Sequence, residues 1–217
     1  MPAAAPSAPS APSAARLLLV RHGESTWNAI GRWQGRADPP LSELGQHQAR
    51  QAGVGAVAHG PFAAVATSTL HRARQTGELI AAHADVELLD PFEDLIERSA
   101  GEWEGLIRAE IEERYPNWLA EQRRPPGYEP DAEIVARAER ALRAIGERCA
   151  GVNVLVVSHG GVINALERRS GEPWRQLTNL EARWFEFGDA DTLLPVGDRV
   201  HLLAADAPAV ETDARYA

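Results

Sequence analysis

Leu17-Leu18-Leu19-Val20-Arg21-His22-Gly23-Glu24 is a run of four aliphatic residues that breaks abruptly into arginine, histidine and glycine. Four consecutive apolar residues after the polar Arg16 predict a buried strand, and Gly23 allows a tight turn whose backbone groups stay open to a ligand. His22 then stands at the carboxyl end of a strand, the edge where open α/β sheets bind ligands. An imidazole and a guanidinium delivered to that edge point to chemistry rather than packing. Val154-Leu155-Val156-Val157 breaks in the same way into Ser158-His159-Gly160-Gly161, so two strands ending in His-Gly have to be explained together.

Working outward, Ser25 to Pro40 contains Gly31, Gly35, Pro39 and Pro40 and reads as an irregular loop. Ser42 is the expected N-cap of a helix running to about Ala58, which Gly60-Pro61 ends. Ala63–Thr67 predicts a short buried strand, followed by a helix from about Leu70 to His83 that carries Arg72, Arg74 and Gln75. Val86–Leu89 is a third strand candidate. Residues 106–123 predict two short helices broken at Tyr115-Pro116, and Arg123 to Tyr128 a loop. Ile134, Val135, Ala138, Leu142 and Ile145 recur at helical spacing in a helix from about Asp131 to Cys149. A strand over 153–158, a helix from about Gly161 to Arg169 and two late strands near 182–187 and 199–204 complete the pattern. Strands alternating with helices predict an α/β protein with a largely parallel sheet, to which the late strands add an antiparallel edge.

The chain of 217 residues suits one domain over 16–205, with a lid-like insertion at about 106–136. Residues 1–15 are a Pro/Ala/Ser tail too poor in apolar surface to order, without the basic start and apolar core of a secretory signal, and residues 206–217 are expected to be similarly loose. A hydrophobic content of 44% with 24% charged residues is that of a soluble globular protein, and no apolar stretch is long enough for a membrane helix. The net charge of −9 excludes a basic face for nucleic acid, so any anion site must be a local concentration of arginine; all 22 basic residues are Arg. Cys149 is the single cysteine, which excludes an internal disulfide and fits a reducing, cytoplasmic setting. Oligomeric state stays open, a homodimer included.

If the strand ends share one edge, Arg21, His22, Arg72 and His159 converge there. Two guanidiniums offer planar forks for phosphate oxygens, and neutral imidazole is a competent nucleophile. Those groups describe a phosphoryl-transfer site using a phosphohistidine, and the helix opened by the Gly-rich break after His159 would favour an anion further. The leaving alcohol needs a proton from a carboxylic acid, for which Glu24, Glu93, Asp94, Glu97 and Glu102 are all candidates by position.

The stretch LVRHGESTWNAIGRWQGRADPPLSELGQHQA (19–49) resembles the opening signature of the histidine phosphatase superfamily, in the branch that holds the cofactor-dependent phosphoglycerate mutases and related phosphatases. TSTLHRARQTGELIA (67–81), IERSAGEWEG (96–105) and VLVVSHGGVINAL (154–166) resemble the next three blocks of that family, in the family's order. The resemblance implies a three-layer α/β/α sandwich with a mostly parallel central sheet and no metal or other cofactor. It makes His22 the phosphorylated nucleophile and Arg21, Arg72 and His159 the phosphate-holding set. Asn28 becomes a further phosphate contact, and Gly160 part of the substrate site. Glu97 becomes the proton donor, four residues before Gly101, and Glu24 a loop stabiliser. LTNLEARWFEF (177–187) is similar to the family's late Asn-then-strand segment. Thr69 departs from an Asp often found in relatives, and Tyr128 interrupts a common Pro-Gly-Gly-Glu turn.

The remaining candidates have plainer readings. His47, His59, His71, His83 and His201 are expected at the surface, Trp27, Trp33 and Trp103 as loop packing, and Arg123 and Arg124 as facing water. The expected activity is hydrolysis of a small phosphorylated metabolite. Its rivals are a mutase, against which the short run from Glu97 to His159 and the GEWEG version of the third block argue, and a non-catalytic sensor of phosphorylated ligands, against which the intact phosphate set argues. A serine hydrolase would need a Gly-x-Ser-x-Gly elbow that Ser158 lacks.

Overall fold

A computed structural model describes residues 15–188 and 192–203. The expectations for a disordered head and a loose tail from Asp206 lie outside the described residues, except that Ala15, expected in the head, is buried in the core. Six strands form one sheet: β1 (Arg16–Arg21), β2 (Phe62–Thr67), β3 (Glu87–Leu88), β4 (Asn153–Ser158), β5 (Glu181–Phe187) and β6 (Leu193–His201). Their spatial order is β3-β2-β4-β1-β5-β6. The first four of that order are parallel, and β5 and β6 add the antiparallel edge.

Helices α1 (Glu43–Ala56) and α2 (His71–Ala84) cover one face, and α4 (Asp131–Arg148) and α5 (Gly160–Arg169) the other; α3 (Arg108–Arg114) lies off the sheet. The apolar runs sort themselves between the faces by the two-residue period of a strand. Leu17, Leu19, Val154 and Val156 pack with Ile134, Leu142 and Ile145 of α4 and Ile163 of α5. Leu18, Val20, Leu155 and Val157 pack with Ala52 of α1 and Ile80 of α2. A strand buried on both sides therefore reads as an unbroken apolar run.

A third cluster stands apart. Trp33, Ala100, Trp103, Leu106 and Ile111 form a small core with Tyr115, Trp118, Leu119 and Tyr128 packed against it. Only one of the two helices expected over 106–123 is present among the described residues. Helix α3 ends at Arg114 because the residue before a proline is driven out of the helical region, and Tyr115 sits at φ −133°, ψ 68°. The chain then turns through Asn117 and Gln122 at positive φ, held by aromatic packing rather than by a helical ladder. Strand β6 begins well before the expected Arg199. Pro195 and Gly197 hide its periodicity, and both are tolerated on an edge strand.

The turn after β1 is clamped to the start of α1. Ser42 caps that helix by accepting the Gly45 N–H at 3.0 Å, and its own N–H donates to the Glu24 carbonyl at 2.9 Å. The approach is close enough that a Cβ on Gly45 would lie 1.9 Å from the Glu24 carbonyl oxygen, and one on Gly23 2.7 Å from the Gly45 carbonyl oxygen. Both obstacles are backbone, so neither can swing away. Gly45→Ala is expected to destabilise the fold by about 1–3 kcal/mol, read as a lowered urea midpoint, because the turn that carries His22 must move off the helix.

Candidate active site

Three strand ends build the floor of the site. Arg21 pairs with Ser158 across β1 and β4, and the His22 N–H continues that ladder to the Ser158 carbonyl at 3.1 Å. Ser68, just past β2, donates its N–H to the Val157 carbonyl at 3.0 Å. His22 and His159 thus emerge side by side, ring centroids 5.2 Å apart and edge-on. Nδ1 of His22 lies 2.6 Å from the Gly23 carbonyl oxygen, and Arg72 Nε donates to Nε2 at 3.2 Å. A ring nitrogen that receives a hydrogen bond carries the lone pair, so the network assigns the proton to Nδ1 and the lone pair to Nε2.

Arg72 is fully buried at the start of α2. Its Nη1 donates to the Ala37 carbonyl at 2.8 Å and its Nη2 to the Gly35 carbonyl at 3.0 Å. The Asp38 carboxylate, 4.0 Å from Nη1, accepts the His71 N–H at 2.7 Å and so caps the same helix. Burial pulls the Arg72 pKa down to about 10, against the nearby charges of Glu97 and Asp38, and the guanidinium stays cationic at neutral pH. Arg21 is buried beside it and donates to the Leu177 carbonyl. Thr76 of α2 accepts the Gly23 N–H at 3.1 Å while donating to the Arg72 carbonyl at 2.7 Å, tying the His22 turn to the helix that bears Arg72.

His159 is completely buried, with Nε2 2.9 Å from Ser68 Oγ and Nδ1 lacking a hydrogen-bond partner among the described residues. Burial first, and then the positive charge of Arg72 and its neighbours, push its pKa well below 6.5, so the ring is neutral. With the Ser68 hydroxyl donating to Nε2, the proton sits on Nδ1, a donor suited to an anion. Asn28 stands behind His22 and does not line the cleft. Its Oδ1 accepts the Ser25 N–H at 3.2 Å, and its buried Nδ2 has no hydrogen-bond partner among the described residues. Asn179 Nδ2 lies 3.4 Å from Asn28 Oδ1 and donates to the His22 carbonyl at 2.8 Å.

The structure separates the five carboxylates that position alone left open. Glu24 accepts the Ser42 hydroxyl at 2.6 Å, as a loop stabiliser would. Glu93 accepts the Thr69 hydroxyl, Asp94 pairs with Arg140, and Glu102 accepts the Tyr115 hydroxyl. Of the five, Glu97 lines a cleft of about 530 Å³ together with Arg21, His22, Gly160 and Gly161. Its Oε2 accepts the Gly161 N–H at 3.2 Å and its Oε1 the Arg98 N–H at 2.7 Å. A Cβ on Gly161 would lie 2.3 Å from Oε1, so glycine is what lets the carboxylate close on α5. The Glu97 side chain therefore occupies the start of that helix.

Arg98, Arg108, Arg124, Tyr128, Arg168 and Trp174 line the outer part of the cleft. Arg98 and Arg168 both bind Asp131. Arg124 is exposed, as expected, and also borders the cleft, stacked over Tyr128 and Trp103 with its guanidinium carbon 5.3 and 5.8 Å from their ring centroids. Arg123 does turn outward, over Trp118. Trp103 is the buried centre of the third cluster, whereas Trp33 belongs to that cluster and also lines the cleft. His47, His71, His83 and His201 are exposed and His59 half-buried. Ser68, Thr76, Asn179, Asn164 and Arg168 were not marked as site residues from the sequence. Ser68, Thr76 and Asn164 lie inside the recognisable blocks, and Arg168 just past one, with nothing in the local pattern to mark a role, whereas Asn179 is the asparagine of the late Asn-then-strand segment.

A family model described as histidine phosphatase superfamily (branch 1) matches residues 17–187. The "uncharacterized phosphatase PhoE" of Bacillus subtilis (strain 168) is 34% identical over 164 residues, covering 75% of this chain and 81% of the relative. The "2,3-bisphosphoglycerate-dependent phosphoglycerate mutase 2" of Gloeobacter violaceus is 39% identical over 162 residues, covering 70% of this chain and 74% of the relative. Among solved structures, Bacillus stearothermophilus YhfR superposes with a TM-score of 0.73 at 28% identity, covering 87% of this chain and 99% of its own. Among the described residues no helix is long and apolar enough to cross a membrane, and no cluster of His, Cys, Asp and Glu is arranged to hold a metal.

The buried neutral His159 links stability to pH. Below its ordinary value of 6.5 the unfolded chain takes up a proton that the folded chain refuses, so stability falls as the pH drops through that region. Glu129 and Asp131, whose arginine partners outweigh the cost of burial and hold both below the usual carboxylate range, add a further loss below 4.5 and 3.8. The urea midpoint should therefore decline from pH 7 toward about pH 5, and His159→Gln should flatten that decline. A wild-type midpoint that holds level across the window would overturn the assignment.

Proposed function

The chain belongs to the histidine phosphatase superfamily, and from that membership and the geometry of the cleft we propose that it hydrolyses small phosphate monoesters through a phosphohistidine on His22. The observation that carries this reading is the fixing of the His22 ring from both sides, Nδ1 on the Gly23 carbonyl and Nε2 against Arg72 Nε, at the base of a cleft that also holds Arg21 and Glu97. The Nε2 lone pair attacks phosphorus, and the ester P–O bond breaks as Glu97, in its acid form, gives its proton to the leaving oxygen. Glu97 then takes a proton from water, the oxygen attacks phosphorus, and the N–P bond breaks to release inorganic phosphate and the neutral imidazole. Arg21, Arg72 and the Nδ1–H of His159 stabilise the charge on the transferring group. Asn28 acts from outside the cleft lining, through Asn179, which holds the His22 carbonyl, and Gly160 lets the phosphate approach the chain.

The outer wall supports a narrower substrate class. Arg98 and Arg168 share the single carboxylate of Asp131, while Arg108 and Arg124 meet no carboxylate among the described residues. Two uncompensated guanidiniums facing the cleft favour an ester whose organic part carries an anionic group such as a carboxylate. Mutase-type transfer is the second reading, supported by the likeness to a phosphoglycerate mutase; the short segment between Glu97 and His159 favours hydrolysis.

His22→Ala should abolish turnover of p-nitrophenyl phosphate and the acid-labile label left by a ³²P-phosphorylated substrate. Persistence of either would place the nucleophile elsewhere. With 3-phosphoglycerate and 2,3-bisphosphoglycerate supplied together, phosphate release should exceed isomerisation, and the reverse ratio would favour the mutase. Arg124→Ala should raise KM for a carboxylate-bearing ester such as phosphoserine about tenfold more than KM for p-nitrophenyl phosphate, the loss of one charge-assisted contact.

A further inference from the structure

Glu97 stands between Leu95, where a short 3₁₀ turn over Glu93–Leu95 ends, and another that begins at Gly101, so no strand or α-helix holds it in place. Its position has to come from outside the segment. Ser158 Oγ of β4 donates to the Leu95 carbonyl at 2.9 Å on one side. The rest is supplied by Arg137 of α4, which is 7% exposed. Its Nη1 donates to the carbonyls of Asp94 and Ile96, at 2.9 and 2.6 Å, and its Nη2 to the carbonyl of Glu97 itself at 3.2 Å. The same guanidinium is gripped by Glu129, Nε to Oε1 at 2.8 Å and Nη2 to Oε2 at 3.0 Å.

Glu129 reaches two further loops. Its Oε2 accepts the Ser99 N–H at 3.2 Å, closing the far end of the Glu97 segment. Its Oε1 accepts Arg36 Nη2 at 3.1 Å. Arg36 lies between Gly35 and Ala37, whose carbonyls are the acceptors of Arg72. One buried carboxylate thus joins the loop that shapes the phosphate set to the loop that carries the carboxyl group of Glu97. A buried ion pair is a poor stability device, since well-packed apolar residues of similar volume serve as well. An apolar pair would, however, leave three backbone carbonyls around Glu97 without donors, and the segment that carries its carboxyl group without its anchor on α4.

We propose that Arg137 and Glu129 are positioning residues for proton donation, fixing the backbone on both sides of Glu97 so that its carboxyl group meets the leaving oxygen of an ester bound at His22. The role rests on the reading of Glu97 as the donor. It predicts a defect that depends on the leaving group, because p-nitrophenolate departs without a proton whereas phenolate, a stronger base, needs one more.

The test compares kcat/KM for phenyl phosphate and for p-nitrophenyl phosphate in the full-length chain, on one preparation of each of Arg137→Lys, Glu129→Gln and Glu97→Gln. The ratio of the two values is independent of how much of the preparation is folded, so partial loss of structure does not blur it. Glu97→Gln is expected to lower the ratio most. Arg137→Lys, which cannot span three carbonyls and a carboxylate, should lower it in the same direction by about tenfold, within what general acid catalysis contributes. Glu129→Gln should follow, and reads the outcome by itself if the lysine variant is insoluble. A normal ratio in Arg137→Lys and Glu129→Gln beside a collapsed one in Glu97→Gln would reduce the pair to a structural element. A normal ratio in Glu97→Gln would overturn the donor assignment, and the positioning role with it.

Discussion

A guanidinium with no exposed surface sets the terms for the rest of the site. Arg72 keeps its charge only because its N–H groups find the carbonyls of Gly35 and Ala37 and the Nε2 of His22, with Asp38 and Glu97 close enough to offset its burial. Those partners come from a loop of more than a dozen residues between β1 and α1, from the end of β1, and from the segment after β3. Burying one cation therefore commits three separate stretches of chain to fixed positions. The neutrality of His159 is the complement: burial first, and then the positive charges of Arg72 and its neighbours, keep the imidazole unprotonated.

The elements that could be read from the sequence are those whose physics is local. Alternation in Leu17–Val20 and Val154–Val157 has to place successive side chains on opposite faces, and two helical layers receive them. Ser42 caps α1 because its side chain reaches the N–H three residues on. The segment from Leu106 to Tyr128 was not readable in this way. Its aromatic residues converge on Trp103 from turns and loops without a common period, so its order is the order of a side-chain cluster and not of a repeating backbone.

Within the cleft the same division holds. Arg21, His22, Arg72 and His159 could be named because each sits at a strand end or helix start, and a parallel sheet brings those points to one edge. Glu97 could be told from Glu24, Glu93, Asp94 and Glu102 only by resemblance, since all five lie in loops where spacing carries no direction. In the structure the other four have their carboxylates engaged elsewhere, by Ser42, Thr69, Arg140 and Tyr115. Arg124 shows a related limit: an exposed arginine in a loop borders a cleft only because of what packs beneath its stem, here Tyr128 and Trp103.

By itself, then, the sequence determined the α/β class, the strand ends that carry histidine, and the family to which the four blocks belong, because period, turn chemistry and block order are properties of neighbouring residues. Only the tertiary structure decided which carboxyl group enters the cleft, which nitrogen of His22 carries the lone pair, and that Glu129 and Arg137 hold the Glu97 segment in register with the loop around Arg72. Those are relations between residues tens of positions apart, and they exist only once a buried charge has collected its partners.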